Sequence, residues 1–252
     1  MVDPSGSERS SLAALTAALG ARLSGAAEMA SGDNRATWRI QTTAGTFVVR
    51  SDLGERAARQ WIAVAAALGD AEVPAPRARL VTADAASWLV MDEIHGTPGN
   101  DWLDTPARSR TLARSMGAIW RRLQVVDPRA IRLQSSTATS ASPGFVHGDF
   151  APINVLVDDR GEVVGLLDFE HAHEGDPLED IAWWGWVVRH HHPAAWEDAW
   201  PTFCSAAGVD ATAHAPTLRS LMLGRLRERA EAASTSQDRE RWHARLDEAA
   251  TW

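Results

Sequence analysis

Residues 145–184, FVHGDFAPINVLVDDRGEVVGLLDFEHAHEGDPLEDIAWW, set thirteen Asp, Glu and His side chains against two apolar runs. Val155-Leu156-Val157 and Val163-Val164-Gly165-Leu166-Leu167 flank the turn signal DDRG, a pattern that predicts a β-hairpin. A hairpin returns the chain to the edge it left, so Asn154 at its entrance and Asp168 at its exit converge, with Asp149 just ahead of them. Carboxylates beside a buried strand are costly unless a cation or hydrogen bonds compensate them. Amide and carboxylate oxygens are hard ligands of the kind Mg²⁺ takes, and Mg²⁺ keeps positions for water and substrate phosphates. The crowding of charge is accounted for by a divalent ion and a phosphorylated ligand sharing one site.

The flanking sequence predicts the rest of an α+β architecture. Leu12, Leu15, Leu19 and Leu23 recur at helical spacing. Trp38, Ile40 and Thr42 alternate toward a turn at Ala44-Gly45, and Phe47 and Val49 alternate after it, giving a hairpin. GERAARQWIAVAAAL at 54–68 reads as a helix ended by VPAP. Short strands follow near 79–82 and 88–91. The Gly/Pro-bearing MDEIHGTPG at 91–99 reads as a linker, and residues 108–126 as a helix carrying Leu112, Met116, Ile119 and Leu123 inward. From Pro177 onward the chain reads as helical, with Trp and Ala inward and Arg/Glu pairs outside. The expected organisation is a small antiparallel sheet lobe with a helix, residues 1–92, and a larger helical lobe, residues 93–252, joined by a hinge at about 91–96.

Composition excludes some classes. The chain has 252 residues and a formal net charge of −8, which argues against a non-specific nucleic-acid binder. Cys204 is its one cysteine, so no internal disulfide forms and a cytoplasmic setting is expected. The start MVDPSGSERSS lacks the basic and apolar regions of a signal peptide, and no stretch has the length of a membrane span. There is no Lys at all, so any role usually given to lysine falls to Arg. RHHHP at 189–193 reads as a solvated run, because adjacent helical side chains point apart.

HGDFAPIN at 147–154, LLDFE at 166–170 and GDPLEDIA at 175–182 together resemble the aminoglycoside phosphotransferase and choline kinase family, whose fold is related to that of protein kinases. The resemblance implies that Asp149 is the catalytic acid/base, orienting the acceptor hydroxyl. Asn154 and Asp168 would hold Mg²⁺, although Glu170 stands where protein kinases have the Gly of D-F-G. Upstream, LVMDEIHG at 89–96 is similar to the family hinge, implying that Asp92 and Ile94 meet the purine through their backbone with Met91 behind the base. SGDNRATWRI, with Asn34, resembles the phosphate-covering loop but has a single Gly, and Arg50 in FVVR takes the place of the phosphate-clamping lysine. The position of its acidic partner falls near Gln60 or Trp61, while the glutamate of that helix is Glu55. About twenty residues separate Val126 from His147, fewer than in many relatives, and Gln124 replaces a usual His, so the acceptor pocket is expected to be open.

The resemblance further implies ATP or GTP as donor, bound between the lobes with Mg²⁺, and a hydroxylated small molecule as acceptor, with no nucleic-acid or membrane partner and a monomer or homodimer. The expected acceptor is an antibiotic of aminoglycoside, macrolide or nucleoside type. A metabolite kinase acting on an amino alcohol or sugar and a non-catalytic nucleotide-binding scaffold stay open as alternatives. Glu170, Glu174, Trp183 and Trp184 are expected at the acceptor, the acids for an amine and the indoles for stacking. His147, Asp176 and Asp180 are expected to brace the catalytic loop.

Overall fold

The computed structural model describes residues 5–29, 37–51, 53–135 and 142–251. They gather into two compact units, residues 1–70 with 74–95 and residues 71–73 with 96–252. Residues 71–73, read from sequence as part of the first lobe, count with the second, where the Glu72 carbonyl accepts from Arg122 Nη1 at 3.0 Å. No helix among the described residues is long and apolar enough to cross a membrane.

The first unit is a five-stranded antiparallel sheet with two helices. Helix α1 (Gly6–Ala18) is followed by β1 (Leu23–Met29), β2 (Thr37–Thr42), β3 (Gly45–Arg50), α2 (Gly54–Asp70), β4 (Ala78–Ala83) and β5 (Ala86–Asp92). The strands lie in the order β1-β2-β3-β5-β4. Period-2 alternation puts Trp38, Ile40, Phe47, Val49, Trp88 and Val90 on one face, where they form a core with Leu12 and Leu15 of α1. Helix α2 buries Ala58, Trp61, Val64 and Leu68 and contacts β4 and β5. Leu23 opens a strand rather than extending the first helix. The helix stops because Gly20 takes φ +68°, with its N–H on Ala17 O and the Ala21 N–H on Thr16 O, the double bond of a Schellman ending.

The second unit is mainly helical: β6 (Thr97–Pro98), α3 (Pro106–Leu123), β7 (Gly144–Val146), β8 (Val155–Val157), β9 (Val163–Leu166), β10 (His173–Gly175), α4 (Leu178–His191), α5 (Trp196–Ala207), α6 (Ala215–Ala232) and α7 (Ser236–Ala250). Helix α3 starts at a Thr105 cap with Pro106 in its first turn. It packs closely on α5, because a side chain at Gly117 would come within 2.7 Å of Phe203 O and of Ala206 Cβ. Helix α4 is buried without a break from Asp180 to Val188. The β8–β9 hairpin pairs Val155 with Leu166 and docks on α3, where Ser115 Oγ accepts the Val163 N–H at 2.8 Å. Strands β7 and β10 pair antiparallel, Val146 opposite His173, and fix the two ends of the loop system that carries the acidic residues.

Candidate active site

The segment between β7 and β8 is held from below by one buried carboxylate. Asp180, fully buried near the start of α4, accepts the His147 N–H on Oδ2 (2.8 Å) and the Gly148 N–H on Oδ1 (2.9 Å). Burial pushes its pKa up to about 7, against the downward pull of those two bonds. The His147 ring closes a second tie: its Nδ1 accepts the Asp149 N–H (3.2 Å), which assigns the proton to Nε2, and Nε2 donates to Leu167 O (2.9 Å). Desolvation holds this imidazole below its usual pKa, while the nearby Asp149 and Asp168 carboxylates pull the other way. Gly148 has φ +78°, and a Cβ there would lie 2.3 Å from His171 O, so glycine alone fits where the loop crosses the chain after β9.

These ties aim Asp149. Its Oδ2 accepts from Asn154 Nδ2 at 2.9 Å, and the same amide nitrogen also reaches the Asp149 carbonyl at 2.8 Å. Its Oδ1 accepts from the indole Nε1 of Trp183 at 2.7 Å, with Arg229 Nη2 at 3.6 Å. Asn154 uses its amide nitrogen on Asp149, which turns its carbonyl oxygen into the atom that can meet a cation. The backbone carbonyl of Asn154, distinct from that side-chain oxygen, accepts the Leu167 N–H at 2.9 Å, extending the hairpin ladder by one pair, and Asp168 follows with φ +65°. Asp tolerates that left-handed conformation better than most side chains, and here it ends the strand and redirects the carboxylate. Asp149 and Asn154 are thus in contact, and Asp168 sits one residue beyond the partner of Asn154.

The remaining expected residues divide. Asp176 accepts the Leu178 N–H at 3.0 Å while Glu179 accepts the Asp176 N–H at 3.0 Å, a reciprocal cap on α4. Trp184 is a correction. It is fully buried and lies on Phe203 with ring centroids 4.0 Å apart and planes 8° apart, so it is core and cannot touch an acceptor. Glu174 is another: 8% exposed, it is held by Ser135 Oγ at 2.7 Å and Arg129 Nε at 2.6 Å, and these two keep its pKa below the ordinary carboxylate value. Glu170 is half-buried two residues after Asp168. His190 departs from the solvated run expected of RHHHP, since it stacks on Trp186 (5.0 Å, 12°) with Nδ1 3.1 Å from Glu248.

In the first unit, Arg50 ends β3 opposite Leu89, Met91 is buried, Asp92 donates its N–H to Arg77 O at 2.9 Å, and Ile94 is half-buried. Asn34 and most of its loop lie outside the described residues. Glu55 bonds Arg59 on the surface of α2 at 2.6 Å. A pair not anticipated from sequence ties the hinge stretch to β2, with Glu93 taking both Arg39 Nε (2.5 Å) and Nη2 (3.1 Å). Also unanticipated are Arg225 and Arg229 of α6, which reach the Gly148 carbonyl and the Asp149 carboxylate. Their signal in the sequence was the i, i+4 spacing in GRLRERAEA.

Comparisons with known proteins place the fold. The fold is similar to wild-type aminoglycoside 2'-phosphotransferase-IIIa in its GDP complex, at 13% identity over 98% of this chain and 99% of that one, with a TM-score of 0.77. It is also similar to a thermostable form of aminoglycoside phosphotransferase APH(4)-Ia in ternary complex with ADP and hygromycin B, at 14% identity over 91% and 94% of the two chains, with a TM-score of 0.71. A curated relative, the uncharacterized protein YcbJ of Bacillus subtilis (strain 168), is 45% identical over 42 residues, which span 16% of this chain and 14% of that protein. Residues 26–142 and 133–213 match the phosphotransferase enzyme family. With three quarters of its length so matched, and with a kinase-like fold, the chain belongs to that phosphotransferase family.

Proposed function

We propose that this protein transfers the γ-phosphoryl group of ATP or GTP to a hydroxyl of a small molecule, with an antibiotic or related natural product as the acceptor. The observation that carries the reading is the doubly held Asp149 carboxylate, with one oxygen on Asn154 and the other on Trp183. A carboxylate fixed at both oxygens still has a lone pair on each, and it can accept the proton of an incoming hydroxyl while keeping its orientation. Phosphoryl transfer is mostly positioning and charge neutralisation, so a fixed base suffices and no covalent intermediate on the protein is needed.

The residues present fit Mg²⁺. The side-chain Oδ1 of Asn154 and the Asp168 carboxylate are hard donors carried by neighbouring positions of the hairpin's open end, few enough to leave places for water and phosphate oxygens. When bound, the ion would neutralise charge on the donor phosphates. Asp180, His147 and the Gly148 turn keep the loop in place, and the Asn154 amide keeps Asp149 turned toward the acceptor. On the first unit, the family resemblance assigns Arg50 and Asn34 to the phosphates and Met91, Asp92 and Ile94 to the purine.

The test is transfer of label from γ-labelled ATP and GTP into a panel of aminoglycosides, macrolides, nucleoside antibiotics, sugars and amino alcohols. The expected result is labelling of at least one acceptor, with Asp149→Ala reducing turnover by ~10²–10⁴-fold. Asp168→Ala is expected to abolish the response to Mg²⁺. Near-normal turnover in Asp149→Ala would reject its role. Tight nucleotide binding without transfer to any acceptor would replace an enzyme with a nucleotide-binding scaffold.

A further inference from the structure

Two arginines four residues apart on α6 converge on the catalytic loop. Arg225 Nη2 donates to the Gly148 carbonyl at 2.6 Å, and Arg229 Nη2 lies 3.6 Å from Asp149 Oδ1. Both guanidinium groups sit over the Trp183 ring, at 5.8 Å and 5.6 Å from its centroid, and Trp183 hydrogen-bonds the same Asp149 oxygen. Each arginine side chain keeps 25% of its surface exposed, so both are reachable from solvent. Three acids of the surrounding segments are engaged in other contacts. Glu174 is held by Arg129 and Ser135, Glu179 by His173 and the Asp176 N–H, and Asp180 by the loop amides. Glu228, 70% exposed, pairs with Arg225 at 3.5 Å.

Two guanidinium groups therefore stand at the reacting carboxylate and its loop. Arginine offers planar, paired donors that match carboxylate and phosphate oxygens, and stacking on an indole presets its plane. At 3.6 Å the Arg229–Asp149 approach is longer than a good hydrogen bond, so the guanidinium keeps donor capacity for a better-placed oxyanion beside Asp149. We infer that Arg229, with Arg225 behind it, binds an oxyanion next to Asp149, supplied by a carboxylate or phosphate on the acceptor or by the transferring phosphoryl group. This deepens the phosphotransferase reading and rests on it for the meaning of the anion. A polycationic acceptor is correspondingly disfavoured at this wall of the site.

The experiment is equilibrium binding to the full chain, followed by tryptophan fluorescence, with inorganic phosphate and glycerate as anionic probes, glycerol and ethanolamine as neutral and cationic ones, and Trp183→Phe to identify the reporting indole. Saturable binding of phosphate and glycerate is expected, weakened at least ~10-fold in Arg229→Gln and partly kept in Arg229→Lys, with glycerol and ethanolamine insensitive to either change. Repeating the titration with AMP-PNP present separates the sources. Loss of phosphate binding assigns the anion to the donor, and retention assigns it to the acceptor; each supports the inference. Equal phosphate affinity in wild type and Arg229→Gln, failure of phosphate and glycerate to bind wild type, or ethanolamine binding more tightly than glycerate overturns it. Arg229→Lys, which keeps the charge, together with a melting curve for each variant separates a folding defect from a binding defect. Because binding is read without turnover, absence of transfer to every acceptor defeats the proposed function and leaves this result standing or falling by itself.

Discussion

Replacing Asp180 by Asn tests the anchor beneath the catalytic loop, and the structure sets both sign and size. The carboxylate accepts two backbone N–H bonds, so Asn, with one carbonyl oxygen and an NH₂ group, strands one buried donor that the ionised carboxylate satisfies, at a cost of ~1–3 kcal/mol for that bond. The pH-dependent part is separate. The folded pKa is about 7 and the ordinary value 3.8, so between them the folded chain holds a proton that the unfolded chain has released. Stability from this group is therefore greatest below pH ~4 and falls by ~1.4 kcal/mol per pH unit as pH rises toward 7. Asn does not titrate. Urea-unfolding midpoints of the two proteins at pH 5, 6, 7 and 8 are expected to show wild type losing ~2 kcal/mol relative to Asp180→Asn between pH 5 and 7, with the change levelling off by pH 8.

Activity should run the opposite way. The ionised carboxylate accepts both amides, whereas the protonated acid gives up one acceptor, so wild-type turnover is expected to fall below pH ~7 while the fold becomes firmer. Asp180→Asn should show a lower plateau without that acid limb. A stability gap that does not change with pH would refute the argument that burial governs this carboxylate.

Three further outcomes are expected. Trp183→Phe keeps a ring but loses a charge-assisted bond to Asp149 of the kind that contributes ~1.5–3 kcal/mol, so kcat should fall ~10–100-fold with KM little changed; a change confined to KM would make Trp183 an acceptor-stacking residue instead. Gly148→Ala forces a side chain to φ +78° and against His171 O, costing at least ~1–2 kcal/mol from the backbone alone and displacing Asp149, to be seen as a lower urea midpoint together with lost activity. Cys204 is buried and its thiol is pushed up to about 12 by desolvation, so iodoacetamide at pH 8 should label it only in denaturant.

The parts of the site that sequence exposed are those fixed by local geometry. The two apolar runs and the DDRG turn mark the β8–β9 hairpin, and a bulge between Leu156 and Val157 then shifts its register by one residue, bringing the Asn154 backbone opposite Leu167, one residue before Asp168. Strand β1, LSGAAEM, has no β-branched residue and gave no strand signal. Strands β7 and β10 are three residues each, too short for alternation to register, and form because they pair with each other. Trp183 and Trp184 show where pattern runs out. Helix α4 is buried on every side, so no apolar stripe tells one indole from the next. Its rotation is set by Asp180, which must face the loop amides. Trp183 lies three residues on and reaches Asp149, while Trp184, another ~100° around the helix, reaches Phe203 and the core. The same reasoning places Arg225 and Arg229, one turn apart on α6, on a common face, but only the packing of α6 against α4 turns that face toward Trp183. Side chains within one strand register of the hairpin are therefore readable from the chain, and those delivered by a second helix become readable only once the anchor of the first is known.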